Sequence, residues 1–251
     1  MPAWRGDAMI RTKVAAAAPA TRARPLVVTG LPAAALEIRE SARATRLTLR
    51  VDPGRDVIQV VVPLGVSETE AARFVTRHAE WVRGRLAAMP PRRPFIEGAV
   101  VPVLGVDHVI RHAAGYRGAT HRASGEIRVG GEAEFVARRV RDFLIQEART
   151  ELAMRSRAKA ATIGKRVAAV SVRDTRSRWG SCASSGRLSF SWRLILTPEA
   201  VFDYVVAHEV AHLVEMNHGG RFWALVATLT PRVEAPRAWL KANGASLLRF
   251  G

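Results

Sequence analysis

Along the first half of the chain, apolar residues tend to recur at every second position. Leu36 and Ile38 alternate with Glu37 and Arg39, and residues 46–51 and 57–62 are β-rich runs separated by the turn signal Asp52-Pro53-Gly54. These three runs predict an antiparallel meander, with order beginning at Leu36. Ser67 followed three residues later by Glu70 is a capping box. It opens a helix that carries Ala71, Phe74, Val75, His78, Trp81, Val82 and Leu86 at helical spacing and ends before Met89-Pro90-Pro91. His78 lies near the apolar stripe and reads as a packed or capping histidine. Residues 100–104, 107–111 and 126–129 read as further short strands. His108, His112 and His121 lie among arginines without ligand spacing and read as surface residues.

From residue 132 the period lengthens to that of a helix. Phe135, Val136, Val140, Phe143, Leu144, Ala148, Leu152 and Ala153 form one side of a long helical pattern. Arg138, Arg139, Arg141 and Arg149 line the other side, and Gly164 is the natural stop. Residues 167–174 and 187–194 read as strands. Thr197-Pro198-Glu199 offers a threonine cap, a proline at the first helical position and an acid in the first turn. The helix it opens runs through the apolar stretch 201–207. Residues 220–229 and 236–248 read as two more amphipathic helices. The pattern predicts an α+β protein: a tail over 1–30, a β-rich region with one helix over 31–131, and a catalytic half over 132–251.

The chain has 251 residues, 48% hydrophobic, which suffices for a sizeable core. Lys+Arg number 39 against 22 Asp+Glu, a formal net charge of +17. That balance points to a polyanionic partner such as nucleic acid, nucleotide or phosphate, or to an arginine-rich proteome, since almost all the basic residues are arginines. One cysteine, Cys182, excludes an internal disulfide and fits a reducing cytosol. No apolar run approaches the ~20 residues that span a bilayer, so a cytoplasmic protein without a membrane anchor is expected.

The candidate chemistry lies in residues 208–218. His208-Glu209-Val210-Ala211-His212 reads H-E-x-x-H, and His218 follows six residues after His212. Residues four apart share a helix face, so His208 and His212 can hold one divalent metal through neutral imidazoles. Glu209, about 100° round, can reach a water on that metal and act as general base. His218 completes a three-histidine zinc site only if the helix stops first. Asn217, which tolerates the left-handed conformation, and Gly219-Gly220 supply a stop. Glu215 competes for the same place and is read instead as a partner of a ligand histidine. Tyr204 shares the face of His208 and offers a hydroxyl to an oxyanion or a phosphoryl oxygen, or packs in the core. Arg176 and Arg178, two apart on an extended segment, are read as converging on an anionic substrate, with Arg193 nearby. Gly180 beside them permits close approach, and Trp179 reads as a packing residue.

A series of motifs resembles the YgjP-like family of predicted metal-dependent hydrolases, grouped with zincin metallopeptidases. It runs through Arg178-Trp179-Gly180-Ser181-Cys182, Trp192-Arg193-Leu194, Tyr204 to His212, Met216-Asn217-His218, Arg221-Phe222-Trp223 and Trp239-Leu240. The resemblance implies a zincin-like catalytic half after a β-rich half, with His208, His212 and His218 as metal ligands and Glu209 as catalytic acid/base. The family is filed under peptidases and nucleoside triphosphate hydrolysis has also been ascribed to it, so the resemblance leaves the substrate open. The histidine spacing is similar to that of metzincins, but Glu215 stands where those proteases have glycine.

Three functions follow as expectations. The first is a zinc-dependent metallopeptidase-like hydrolase, which should present an edge strand along its cleft to pair an extended peptide. The second is a nucleoside triphosphate pyrophosphohydrolase on the same metal site, which should line a compact pocket with Arg176, Arg178 or Arg193. The third is a nucleic-acid-associated protein or protease, which needs a contiguous basic face with aromatics. No zinc knuckle or recognition-helix motif favours it.

Overall fold

A computed structural model describes residues 23–32 and 35–251. The tail expected over 1–30 lies largely outside the described residues. The chain divides into two compact units, residues 7–91 and 92–251. The division falls at Pro91, where two consecutive prolines end a helix. The strands of residues 100–130 therefore belong with the helices that follow them, not with the first sheet.

The first unit is α+β. Its sheet contains β1 (Arg24–Pro25), β2 (Leu36–Glu40), β3 (Thr48–Asp52) and β4 (Val57–Val62), in the order β1-β2-β4-β3. The β3–β4 hairpin is antiparallel as the Asp52-Pro53-Gly54 turn predicts, but β2 pairs β4 in parallel, so the sheet is not a meander. Alternation identifies strands and faces without fixing which neighbour a strand pairs. The fold begins before Leu36: β1 pairs β2, and Leu26 and Val28 are buried. The predicted single helix is two, α1 (Glu68–Arg77) and α2 (Ala79–Ala87), meeting at His78. Ser67 caps α1 by accepting from the Glu70 N–H. His78 donates from Nδ1 to the Phe74 carbonyl and packs on the Phe74 ring.

In the second unit, β5 (Val100–Val103), β6 (Val106–Ala113), β7 (His121–Ala123) and β8 (Glu126–Gly130) form a sheet in the order β5-β6-β8-β7. The helix α3 (Val136–Thr162) crosses the unit and buries Val136, Val140, Leu144, Ala148 and Leu152 at helical spacing. Gly164, at φ +65°, lies just beyond its C-terminus, where only glycine is unstrained. A second sheet follows, β10-β11-β9, from β9 (Ala169–Arg173), β10 (Gly180–Cys182) and β11 (Arg187–Ser191). The chain leaves β11 through a 3-10 turn, Trp192–Leu196, where extended strand was expected. Thr197 donates to the Leu194 carbonyl to close that turn rather than capping the next helix.

Three helices complete the unit: α4 (Glu199–Ala211), α5 (Gly220–Leu229) and α6 (Glu234–Leu247). All but three of the residues of α4 are buried, as expected of a helix apolar on every side. It packs on α3, α5, α6 and β10. Lys159 of α3 fixes it by pairing with Asp203 and donating to the Leu229 carbonyl, and Arg155 pairs with Glu199 at its N-terminus. No helix among the described residues is long and apolar enough to cross a membrane.

Candidate metal centre

The three histidines read from the sequence converge. The ligand-capable atoms of His208, His212 and His218 lie within 4.8 Å of one another. The Nε2 atoms of His208 and His218 are 3.1 Å apart, close to the about 3.3 Å separating two nitrogens on one tetrahedral zinc. Burial, with help from His212, His218 and Arg237, pushes His208 down to about 3. Burial also lowers His212, against a pull upward from the Glu215 carbonyl, and lowers His218. Three neutral imidazoles whose nitrogens converge are the donor set a divalent ion requires.

The route to this geometry differs from the expected one. Helix α4 ends at Ala211, and His212 itself is the cap in an ordinary right-handed conformation. The chain tightens through bonds from the Leu213 N–H to Val210 and from the Val214 and Glu215 N–H groups to Ala211. Asn217 is not left-handed, and Gly219 has φ −84°. The reversal thus begins five residues earlier than predicted. His212 Nδ1 donates to the Glu215 carbonyl oxygen at 2.9 Å, which fixes its tautomer and leaves Nε2 as the available lone pair. Glu215 does support a histidine, but through its peptide oxygen. Its carboxylate pairs with Arg221 at 3.1 Å.

Phe222, a residue without an assigned role in the sequence reading, forms the aromatic floor. It is fully buried, stacks on His212 with ring centres 4.6 Å apart, and meets His208 and His218 edge-on at 5.0 and 4.6 Å. Trp223 lies 5.9 Å from both His208 and His218. The amphipathic pattern of residues 220–229 was the available signal. It identified an apolar face but not what that face would cover.

Glu209 is 6% exposed, and burial pushes its carboxyl up to about 8, with Arg178 pulling the other way. The strand β10 lies directly against it. A Cβ on Gly180 would come within 2.5 Å of the Glu209 Cγ and Oε1, so only glycine leaves room for the carboxylate. Trp179, next to it, packs against Gly244 of α6. Cys182 is free, and burial together with Glu209 raises its thiol to about 11, which keeps it protonated and unreactive.

The remaining predicted residues separate. Tyr204 is fully buried, with its ring edge-on to His208 at 6.0 Å, and so packs the His208 ring rather than lining an open surface. The 174–179 segment bends instead of extending, and Thr175 Oγ1 donates to the Arg178 carbonyl. The positive charge of Arg178 lowers the proton affinity of Glu209, and that of Arg176 lowers the proton affinity of Arg193. Arg193 is 5% exposed, stacked on Trp192 and paired with Asp174, which makes it part of the core and not of a substrate pocket. Among the other histidines, His108 is buried rather than on the surface, with Nδ1 donating to the Val106 carbonyl.

Searches of curated proteins and of solved structures returned no match. A family model described as YgjP-like, metallopeptidase domain, matches residues 45–243. That span takes in the histidine triad, Glu209 and the β10 strand against it, and the chain belongs to the YgjP-like metallopeptidase family.

Proposed function

We propose that this protein is a zinc-dependent metallopeptidase that hydrolyses extended peptides. The observation that carries the reading is the edge strand β10, which lies against Glu209 next to the triad. In an antiparallel ladder the bonded pairs alternate. Trp179–Ser191 and Ala183–Arg187 are bonded, so Ser181–Ser189 is the bonded pair between them. The N–H and C=O groups of Gly180 and Cys182 consequently face away from β11, along the free edge. An extended peptide can add there as a further strand, with its backbone held beside Glu209.

His208, His212 and His218 would hold zinc, which would supply Lewis acidity toward the attacking water and the scissile carbonyl. Glu209 accepts the proton of the attacking water on its carboxylate and delivers it to the departing amine as the C–N bond breaks. A carboxyl with a raised affinity for protons is matched to both halves of that task near neutral pH. His212 keeps its orientation through the Glu215 carbonyl, and Phe222 keeps water from the far side of the three rings.

The nucleotide alternative loses one of its supports. It expected a compact pocket lined by Arg176, Arg178 or Arg193, and Arg193 is occupied by Asp174 and Trp192. The nucleic-acid alternative is weakened in the same way. Arg139 and Arg141 of α3 are engaged by the Gly130 carbonyl and Asp174.

The test is elemental analysis and peptide hydrolysis on the purified chain. One zinc per chain is expected, with casein-like peptides cleaved and activity lost to chelator. His212→Ala should lose metal and activity together. A fully zinc-loaded chain that cleaves no extended peptide overturns the proposal.

A further inference from the structure

Three arginines neighbour residues of the site, Arg221 at Glu215, Arg178 at Glu209 and Arg237 at Trp223, and they are engaged to different degrees. Arg221 is 88% exposed and paired through Nε with Glu215. Arg178 is exposed, stands two residues before the glycine that touches Glu209, and has no ion-pair partner among the described residues. Arg237 of α6 lies over the Trp223 ring, its guanidinium carbon 5.0 Å from the ring centre. The same indole faces His208 and His218. Arg237 pairs through Nη1 with Glu234, three residues away and 83% exposed in its side chain. An exposed pair of that kind contributes little and leaves the other N–H donors available.

An arginine laid on an aromatic face is a pre-organised fork. Its plane is fixed by the ring, and its donors match a carboxylate in a two-point contact. Of the carboxylates close by in the chain, Glu209 is buried against Gly180 and Glu215 is taken by Arg221. The anion suited to Arg237 thus comes from outside. Trp223 bridges the guanidinium and the histidines, so the recognised group lies close to the reacting bond.

Building on the metallopeptidase reading, we propose that the site selects peptides that carry a carboxylate near the scissile bond. Arg237 on its Trp223 platform receives that carboxylate, and Arg178 is the second cation. At roughly 3.3 Å per extended residue, the carboxylate lies within about three residues of the cleaved bond. It belongs either to an acidic side chain or to the C-terminus of the peptide.

Binding and cleavage are measured separately. Zinc-loaded Glu209→Gln full-length chain is titrated by fluorescence anisotropy with labelled peptides of one sequence. One carries an internal glutamate and an amidated end, one a glutamine and a free C-terminus, and one a glutamine and an amidated end. At least one carboxylate peptide is expected to bind about tenfold tighter than the neutral one, and which one does so identifies the source. The advantage should shrink between about 50 and 500 mM salt on the same protein, a result that needs no arginine variant to fold. It should be lost in Arg237→Gln and partly kept in Arg237→Lys. Equal affinity for all three peptides overturns the proposal, as does a preference untouched by Arg237→Gln and Arg178→Gln, or tighter binding of a nucleoside triphosphate than of every peptide. Cleavage by the unmodified chain reports on the metallopeptidase reading independently. Cleavage without a carboxylate preference overturns only the present inference, and preference without cleavage overturns only the peptidase.

Discussion

Two polar clusters lie in the 92–251 unit, and the same stretch of chain, residues 174–182, serves both. At one end Asp174 accepts from Arg193, from Arg141 at 2.9 Å and from the Trp192 indole at 3.3 Å. Burial pushes the Asp174 carboxyl up, but Arg193, Arg141 and Trp192 together hold it below the usual carboxylate range. At the other end Gly180 presses on Glu209, whose carboxyl is raised to about 8, beside three neutral imidazoles. The first cluster satisfies its charges internally. The second gathers a proton-hungry carboxylate and the converging lone pairs of three histidines. A buried charge that finds its partner within the chain is architecture, whereas donors that converge on a shared point need a ligand to complete them.

That contrast is most sharply tested at Glu209. Replacing it with glutamine keeps the shape and removes the proton acceptor, so turnover is expected to fall by roughly 100- to 10,000-fold with zinc content unchanged. Steady-state hydrolysis and elemental analysis on one preparation decide this, and activity within a few-fold of the parent would sink the role of Glu209. Asp174→Asn should act in the opposite way. It leaves the Arg193 guanidinium buried with a weaker partner and is expected to cost about 2–3 kcal/mol in denaturant unfolding, with metal content unchanged.

Gly180→Ala probes the contact between the shared segment and the site. The added methyl must displace the carboxylate or the strand, and kcat is expected to drop roughly 10- to 100-fold with a smaller change in stability. Equal kinetics in the alanine variant would show that the close approach of β10 is incidental. The smallest expected effect is a pH dependence. The folded chain holds Asp174 below its unfolded pKa, so it binds that proton less readily than the unfolded chain. The stability Asp174 supplies is in place above about pH 4 and fades as the pH falls below it. The gap in urea midpoint between parent and Asp174→Asn should therefore narrow between about pH 6 and pH 3, and a constant gap would count against the ion pair as its cause.

Much of this was legible in the sequence because it depends on local geometry. The capping box at Ser67, the stop at Gly164 and the four-residue spacing of His208 and His212 need only helix stereochemistry. Gly180 could be read as a site of close approach, although the sequence does not say what approaches it. The family resemblance rested on ordered motifs, and the matched span confirms it.

What the tertiary structure decided was every outcome that depends on partners distant in the chain. The parallel pairing of β2 with β4 is one, since alternation is blind to strand direction. The burial of Arg193 is another. An arginine next to a tryptophan reads equally as a phosphate ligand or a core ion pair until Asp174, nineteen residues away, is placed on it. The end of α4 at Ala211 is a third, where His212 found the Glu215 carbonyl before Asn217 could matter. By itself the sequence determined which histidines the structure brings together as a possible metal site, because residue type and helical spacing fix donors and faces. Their charge states and the aromatic floor under the three rings were set by the structure, because desolvation and packing exist only once distant segments close around a group.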